Sequence, residues 1–277
     1  MSYLRPPEEE TAIKIGIFQG PESSGTVAAN LDTLAAAAHN AAAQDARLLI
    51  TPEMFLTGYH IGREATHRLA EPADGPAAER VAAIADKAGL AILYGYPERN
   101  GDAVYNAAQL IDHDGRRLAN HRKNHLFSDI DRNAFEAGEG SPPLAELDGL
   151  RLGILICYDV EFPENVRLLA LQGADFVAVP TALMHPYTFI ARSLIPARAY
   201  ENQVFLAYAN RCDREQALNY LGQSCIVAPD GSELARAGTG EALIVAELDS
   251  AVQTASRQLN TYLQDRRPEL YGPLAQR

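Results

Sequence analysis

Cys157 occupies the position in this chain that most favours nucleophilic chemistry. It ends the apolar run ILIC within ILICYDVEFPEN and comes just before a predicted helix. A thiol at such a strand end lies near backbone amides, which lower the pKa of a thiol and can stabilise an oxyanion. The alternative is a buried core residue, because free cysteines often behave as small hydrophobes. The position alone leaves both interpretations open.

Glu53 and Lys123 supply the other groups that a cysteine nucleophile needs. Glu53 ends the segment LLITPE and, like Cys157, comes at the end of a predicted apolar strand. Lys123 begins a long polar loop in HRKNHLF. Each of them alone could be an ordinary exposed charge. A cysteine nucleophile requires a base for its proton and a cation or amides for the oxyanion. The occurrence of all three residue types together therefore favours a catalytic site.

Histidine offers a competing arrangement. Cys157 could pair with His125 or His185, as in thiol proteases, but the residues around it do not match the local signatures of those families. His121 and His125 have no third ligand at a recognisable spacing, so no metal site is predicted. The other two cysteines lie in apolar strand patterns and are predicted to be core residues.

The composition of the 277 residues is that of an ordinary soluble globular protein, with 47% hydrophobic and 22% charged residues. The formal net charge of −12 argues against a nucleic-acid partner, because phosphate binding needs a basic face. Three cysteines without a CxxC pair fit neither a disulfide framework nor a structural zinc site. No signal peptide and no apolar run of about 20 residues is recognisable, so we expect a cytoplasmic protein that does not bind membranes.

The hydrophobic pattern predicts a mixed α/β fold in one domain over residues 1–277, with a flexible lead-in over 1–11 and a C-terminal tail over 263–277. Strands are predicted at 13–19, in RLLITPE, in AILYGYPE, at 104–111 and 116–123, and in RLGILIC, DFVAVPTA, VFLAYANRC, QSCIVAP and ALIVAELD. Helices are predicted at 27–46, at 75–88, in PENVRLLALQG and in TFIARSLIPARAYENQ, where Pro196 should interrupt the helix. The segment 124–143 is predicted to be a long loop, which at this length is either functional or disordered. GxGxxG and Walker motifs are absent, so no nucleotide cofactor is predicted.

Three separated segments resemble the nitrilase superfamily of carbon–nitrogen hydrolases. They are LLITPEMFLTGY, NHRKNHLF and ILICYDVEFPE, followed by VPTA and ARAYENQ, in the order of the family and over about residues 12–265. Within the superfamily, PEMFLTGYHIG, YGYPER and CYDVEFPEN most resemble aliphatic amidases that act on ω-amino amides. The resemblance implies a four-layer αββα sandwich that pairs with a second subunit as a homodimer or higher homo-oligomer, and hydrolysis of a small amide without a cofactor.

The same resemblance implies roles for individual residues. Glu53 would be the general base, Cys157 the nucleophile that forms a thioester, and Lys123 the stabiliser of the tetrahedral intermediate. The amide N–H of Tyr158 would be a second oxyanion donor. Family members carry another catalytic glutamate seven residues before a glycine, and here that place holds Asp131 in DRNAFEAG. Its shorter side chain could reach the site only if the loop approaches more closely.

Glu161 bears on the choice of substrate. Most relatives with a CYD motif carry a basic residue at the place of Glu161. An acid there would disfavour carboxylate-bearing substrates and favour an amide that is neutral or positively charged at its far end. Alternatively, Glu161 pairs with Arg167 or Arg192 and never meets the substrate. The other residues predicted to bind substrate are Tyr59, Tyr158, Met184 and His185.

The sequence leaves the exact reaction open. Amide, nitrile and N-carbamoyl hydrolysis all start with the same attack by Cys157. A non-catalytic binding module would be favoured if Glu53, Lys123 or Cys157 were missing, but all three are present. We therefore expect an amidase.

Overall fold

Residues 12–21 and 25–275 are described by the computed structural model. The strands are β1 (Ala12–Gln19), β2 (Leu48–Ile50), β3 (Ala91–Asn100), β4 (Ala103–Ile111), β5 (Arg117–Arg122), β6 (Leu144–Leu147), β7 (Leu150–Ile154), β8 (Phe176–Pro180), β9 (Phe205–Ala209), β10 (Arg214–Glu215), β11 (Leu218–Asn219), β12 (Cys225–Val227), β13 (Glu233–Arg236) and β14 (Ala242–Asp249). The helices are α1 (Val27–Ala42), α2 (Arg63–Leu69), α3 (Pro76–Ala88), α4 (Ser128–Arg132), α5 (Pro163–Leu171), α6 (Ile195–Asn202) and α7 (Ser250–Leu259). Short 3₁₀ turns cover Cys157–Glu161, Pro268–Leu270 and Gly272–Ala275, and a π-helical turn covers Ile190–Leu194.

Two six-stranded sheets form the centre of the molecule. The first has the order β14-β1-β2-β3-β4-β5 and the second the order β13-β12-β9-β8-β7-β6. The inner strands β1, β2 and β3 run parallel, as do β7, β8 and β9, while the outer strands of each sheet are antiparallel to their neighbours. Parallel neighbours end at the same edge of a sheet, where ligands bind in open α/β folds.

Three of the apolar clusters among the described residues separate four layers. The central cluster joins the facing surfaces of the two sheets and includes Ile17, Ile50, Leu93, Ile154, Phe176 and Ala207. On the outside, Leu34 of α1 and Val81 of α3 pack on the first sheet, and Val166 of α5 and Ile195 of α6 pack on the second. The layers are therefore helix, sheet, sheet and helix, and the predicted αββα sandwich is confirmed.

Two glycines permit close approaches of the backbone beside the catalytic candidates. A Cβ atom on Gly95 in β3 would clash with the backbone nitrogen of Met54. A Cβ atom on Gly138 would clash with the carbonyl oxygen of Arg122. Side-chain atoms do not come so near to backbone, so only glycine lets these segments pack so tightly.

Some elements differ from the prediction. Helix α1 ends at Ala42 rather than at residue 46, because residues 43–45 form a turn in which Asp45 has φ of +63°. The sequence analysis did not identify α2, α4, α7, β6, β10, β11 or β13. All of these elements except α7 have seven residues or fewer, which is too short for a hydrophobic period to be recognised in a single sequence, and α7 was simply missed.

The helix around Pro196 is not interrupted as predicted. The π-helical turn runs directly into α6, and the N–H of Ile195 donates to the carbonyl of Ile190. Pro196 has no N–H to donate, and the carbonyl of Ala191 instead accepts a hydrogen bond of 3.1 Å from Arg236. The wider turn and this guanidinium let the helix continue past the proline.

The predicted terminal segments are only partly covered by the structure. The lead-in at 1–11 lies outside the described residues. The described part of the predicted tail begins with Leu263, which is buried against the cluster under α5 and α6. Within 12–21 and 25–275, none of the helices has the length and hydropathy required to cross a membrane.

Candidate active site

Three of the four residues predicted to be catalytic follow strand ends. Glu53 comes three residues after β2, Cys157 three residues after β7, and Lys123 directly after β5. The backbone N–H of Glu53 donates to the carbonyl of Thr181, which follows β8 of the other sheet, over 3.3 Å. The site therefore forms where strand ends of the two sheets meet.

Lys123 lies between two carboxylates in a fully buried cluster. Its Nζ atom is 2.6 Å from Oε1 of Glu53 and 2.7 Å from Oδ2 of Asp131. Burial alone would lower the pKa of Lys123, but the charges of Asp131 and Glu53 outweigh it and hold the pKa well above its usual value. Lys123 is therefore an ammonium ion, and these two ion pairs leave one of its N–H bonds for another acceptor.

Asp131 reaches the cluster because α4 carries it there. This short helix lies inside the segment that was predicted to be a loop. The carboxylate accepts hydrogen bonds from the backbone N–H of Phe127 (2.8 Å) and from the hydroxyl of Tyr59 (3.0 Å). The ring of Tyr59 is centred 5.7 Å from Nζ of Lys123. Helix α4 therefore brings the shorter side chain of Asp131 close enough to contact Lys123.

The two oxygens of Glu53 have different surroundings. Oε1 accepts hydrogen bonds from Lys123 and from Nδ2 of Asn106, the latter over 2.7 Å. Oε2 is buried and has no hydrogen-bond partner among the residues that the structure describes. Burial raises the pKa of Glu53, the charge of Lys123 opposes this rise, and the charge of Asp131 adds to it. A buried carboxylate with a raised pKa and one free oxygen is suited to accept and return a proton.

Cys157 begins the 3₁₀ turn with a φ of +46°, a left-handed conformation that costs energy in any residue other than glycine. Its side chain contacts the hydroxyl of Thr181 and the backbone of Ala182. The prediction of a lowered thiol pKa is wrong, because burial and the charge of Glu53 raise the pKa of Cys157 more than Lys123 lowers it. In the free protein Cys157 is therefore a thiol that needs a base.

Further polar side chains that the sequence analysis missed hold the Glu53 segment in place. Arg211 is fully buried and donates to the carbonyls of Glu53 (3.0 Å) and Met54 (2.6 Å). The buried carboxylate of Glu215 accepts from the backbone N–H of Tyr59 at 3.1 Å. A charged residue inside an otherwise apolar strand pattern, as in VFLAYANRC, was the signal that could have identified Arg211.

The predicted substrate-binding residues differ in their burial. Met184 is buried with Tyr59 in one apolar group, whereas His185 is exposed at the surface. Tyr158 is partly exposed, and its ring meets those of Phe127 and Phe162 edge-on, with centroids 5.4 and 4.9 Å away. Aromatic side chains therefore line the 3₁₀ turn Cys157–Glu161, which carries the predicted nucleophile and is called the nucleophile turn below.

Glu161 has no ion-pair partner within the described part of the chain. The two arginines considered as partners bind elsewhere, Arg167 to the carbonyl of Glu201 and Arg192 to the side chain of Gln223. Burial raises the pKa of Glu161 to about 6, against the opposing charges of Lys123 and Arg198. The alternative in which Glu161 pairs with Arg167 or Arg192 is therefore not supported.

The fold and the buried cluster together define a class of protein. A carbon–nitrogen hydrolase profile matches residues 14–258 of the chain. The chain therefore belongs to the carbon–nitrogen hydrolase family, within the amidase branch of the nitrilase superfamily, and is a hydrolase of non-peptide carbon–nitrogen bonds. Among residues 12–21 and 25–275, no three or more His, Cys, Asp or Glu side chains form a group that could hold a metal ion.

Similar proteins are known from sequence and from structure. A protein of Pseudomonas protegens described as a hydrolase in the pqqF 5′ region is 56% identical over 266 residues, 96% of this chain and 93% of its own length. An (R)-stereoselective amidase of Pseudomonas sp. is 36% identical over 262 residues, 94% of this chain and 93% of its own length. The crystal structure of an amidase from Nesterenkonia sp. matches with a TM-score of 0.82 and 36% identity, over 94% of this chain and 95% of that one.

Mutants of the Nesterenkonia amidase have also been solved with small amides. A cysteine-to-alanine mutant was solved in complex with butyramide. A glutamate-to-glutamine mutant carries acrylamide added to its active site cysteine. The predicted family, fold and enzyme class are confirmed by these matches.

Proposed function

We propose that this protein hydrolyses a short aliphatic primary amide to the carboxylic acid and ammonia, with Glu53, Lys123 and Cys157 as catalytic residues. The observation that carries the proposal is Oε2 of Glu53, a buried oxygen without a partner in the described residues, beside a buried ammonium and a thiol that needs a base. The butyramide bound to the Nesterenkonia amidase supports a short aliphatic substrate.

In the first half-reaction, Glu53 accepts the thiol proton of Cys157 while the sulfur attacks the amide carbonyl carbon. The carbonyl oxygen becomes an oxyanion, which the remaining N–H of Lys123 and the backbone N–H of Tyr158 stabilise. Glu53 returns the proton to the amide nitrogen, the carbon–nitrogen bond breaks, and ammonia leaves. The acyl group remains on Cys157 as a thioester.

In the second half-reaction, water replaces ammonia in the space that faces Glu53. The carboxylate takes a proton from this water, and the resulting hydroxide attacks the thioester carbonyl. The same donors stabilise the second oxyanion, and the carbon–sulfur bond then breaks. Glu53 protonates the leaving sulfur, which restores the thiol of Cys157 and releases the acid. Asp131 acts in both halves by keeping Lys123 charged and fixed.

The substrate that we propose carries an amino group at the end opposite the amide. Glu161 supports this choice, because it is the last residue of the 3₁₀ turn that begins with Cys157 and has no ion-pair partner among the residues described. The aromatic rings of Phe127, Tyr158 and Phe162 border the same turn and suit the aliphatic chain or the ammonium group. Met184, Tyr59 and His185 remain predicted pocket residues.

Ammonia release from a panel of substrates tests this proposal. The panel holds 5-aminopentanamide, butyramide, a dicarboxylate monoamide, an N-carbamoyl amino acid and an aliphatic nitrile. Cys157→Ala is expected to abolish release, whereas Cys212→Ala, which also removes a buried thiol, is expected to keep it. Activity on the two aliphatic amides alone supports the proposal in full. A preference for the nitrile or the N-carbamoyl compound would keep the catalytic residues but refute the substrate, and activity in Cys157→Ala would refute both.

We also propose a homodimer in the cytoplasm. Large apolar side chains are exposed around α6, α7 and the C-terminal segment; they are Tyr200, Leu259, Tyr262, Leu270, Tyr271 and Leu274. Leu259 is 90% exposed and Leu274 73% exposed, and exposed apolar groups of this kind are typical of subunit contacts. The three cysteines are free thiols, which accords with a reducing compartment.

A further inference from the structure

Asp159 is a buried carboxylate that binds groups from two separate segments. Its Oδ2 accepts from the backbone N–H of Ile156 (3.2 Å) and from Nε2 of His121 (3.0 Å). Its Oδ1 accepts from the backbone N–H (2.9 Å) and from Nδ1 (2.8 Å) of His125. Both oxygens are therefore fully occupied, and neither faces an empty space.

The donors flank two of the proposed catalytic residues. His121 and His125 lie two residues before and two residues after Lys123, and Ile156 directly precedes Cys157. One carboxylate thus joins the segment that carries the ammonium to the turn that carries the nucleophile. The segments come from different sheets, since β5 belongs to the first sheet and β7 to the second.

The protonation states in this network follow from the geometry. Burial would raise the pKa of Asp159, but the hydrogen bonds from His121 and His125 outweigh it and hold the pKa well below its usual value. An ionised carboxylate can only accept, so Nε2 of His121 and Nδ1 of His125 must both carry hydrogens. The arrangement therefore prescribes which ring nitrogens donate.

Neighbouring groups keep the network rigid. Nδ2 of Asn165 donates to the backbone carbonyl of Asp159 over 2.8 Å. The ring of His125 stacks on that of Phe162 with centroids 4.0 Å apart. Fixed partners of this kind are what a constellation of catalytic groups needs to hold a productive geometry.

We propose that Asp159 is a positioning residue, which sets the placement of Lys123 relative to Cys157 by binding His121, His125 and the N–H of Ile156. The inference rests on the proposed function, because it assigns a purpose to contacts around the proposed catalytic residues. Asp159 does not touch the substrate; it acts through the backbone on either side of Lys123 and through the strained turn at Cys157.

Replacement of the carboxylate tests the inference directly. Asp159→Asn keeps the shape of the side chain but turns an N–H group towards the N–H donors that now bind the carboxylate. The segment that carries Lys123 and the turn that carries Cys157 should therefore move apart. A misplacement of about 1 Å costs about 100-fold in rate, so we expect kcat to fall by between about 10- and 100-fold while KM changes by less than about threefold. Asp112→Asn is the matched control, because Asp112 is a buried carboxylate that binds backbone N–H groups in the turn between β4 and β5. It should lower the melting temperature without lowering kcat.

Variants of the two histidines separate positioning from general stability. His121→Gln can place an amide N–H near the position of Nε2, and His125→Asn can place one near the position of Nδ1. These donor-preserving variants should keep kcat within about threefold, whereas His121→Leu and His125→Leu should lose about tenfold or more. His125 is partly exposed, so its variants are expected to fold even where Asp159→Asn does not.

The outcomes distinguish this inference from the proposed function. If Asp159→Asn is folded and keeps kcat within about threefold, or if the leucine and amide variants behave alike, the inference is wrong. That result leaves the proposed function intact as long as Cys157→Ala is inactive. If Cys157→Ala still releases ammonia, the proposed function fails, and the inference fails with it.

Discussion

Asn106 offers a sharp test of how the site controls its base. Its side-chain N–H lies 2.7 Å from Oε1 of Glu53, and its backbone carbonyl accepts from the N–H of Lys123 over 2.8 Å. Asn106→Leu removes the first contact, keeps the second and changes the volume little. The carboxylate of Glu53 then loses one of its two donors, while the Lys123 segment stays in place.

The size of the effect follows from the lost hydrogen bond. A hydrogen bond to a charged group is worth about 1.5–3 kcal/mol, and a pKa shift of one unit corresponds to about 1.36 kcal/mol. The donor stabilises the ionised form, so its loss should raise the pKa of Glu53 by about one to two units. As the proposed base, Glu53 would act only when ionised, so the acidic limb of the profile of kcat/KM against pH should move by that amount towards higher pH. Activity lost in mild acid should return in base.

The assay is ammonia release across a range of pH for the wild type and Asn106→Leu. Gln109→Met is the matched control, because Gln109 is a buried amide three residues along β4 that donates to Ala73 and accepts from Tyr94 instead. Gln109→Met should leave the acidic limb of the profile of kcat/KM against pH unchanged. If Asn106→Leu lowers kcat/KM equally at every pH, the lost contact serves packing alone and the reasoning about Glu53 is refuted.

Other predictions test the remaining parts of the site. Asp131→Asn should lower kcat by about 10- to 100-fold, because Lys123 loses a counter-ion; the exposed Asp129→Asn is the control, and equal activity in the two variants would contradict the role of Asp131. Glu161→Gln should abolish the preference for cationic over anionic amides in kcat/KM, and in the wild type this preference should fade as the pH drops below about 6, where Glu161 gains a proton; unchanged discrimination would refute it. Removal of residues 268–277 leaves the buried Leu263 in place and should change the molar mass measured by light scattering from that of a dimer to that of a monomer. A mass that remains that of a dimer would exclude these residues from the proposed subunit contact.

The sequence predicted the fold class, and it brought out Glu53, Lys123 and Cys157 as catalytic candidates, but it did not predict the side chains that hold them in place. Glu53 and Cys157 became candidates because each follows a buried strand, which is a local feature, and because they occur together with Lys123 in segments that resemble the nitrilase superfamily. Arg211 stands out as a charge in an apolar pattern, but the contacts of Arg211 and Glu215 could not be predicted, because their partners lie 158 and 156 residues away along the chain. The role of such a side chain depends on which segments the two sheets bring together. That pairing has no signal in a single sequence.

The thiol pKa illustrates the same limit at one atom. The local argument from the strand end considers only nearby amides, and it predicts a lowered pKa for Cys157. Burial and the charge of Glu53 depend on the packing of both sheets, and they raise the pKa. The prediction from residues adjacent in sequence therefore gave the wrong direction for the shift of the Cys157 pKa.

The raised pKa values are compatible with efficient proton transfer. Burial raises the pKa of the Cys157 thiol and of the Glu53 carboxyl alike, and transfer between them depends on the difference rather than on either value. When the proton moves, the carboxylate becomes neutral and the sulfur becomes negative, so the number of buried charges stays the same. Lys123 attracts the negative charge in both positions, because it lowers the pKa of both groups. Asp131 contributes twice, since it keeps Lys123 charged and also raises the pKa of Glu53, which strengthens the base.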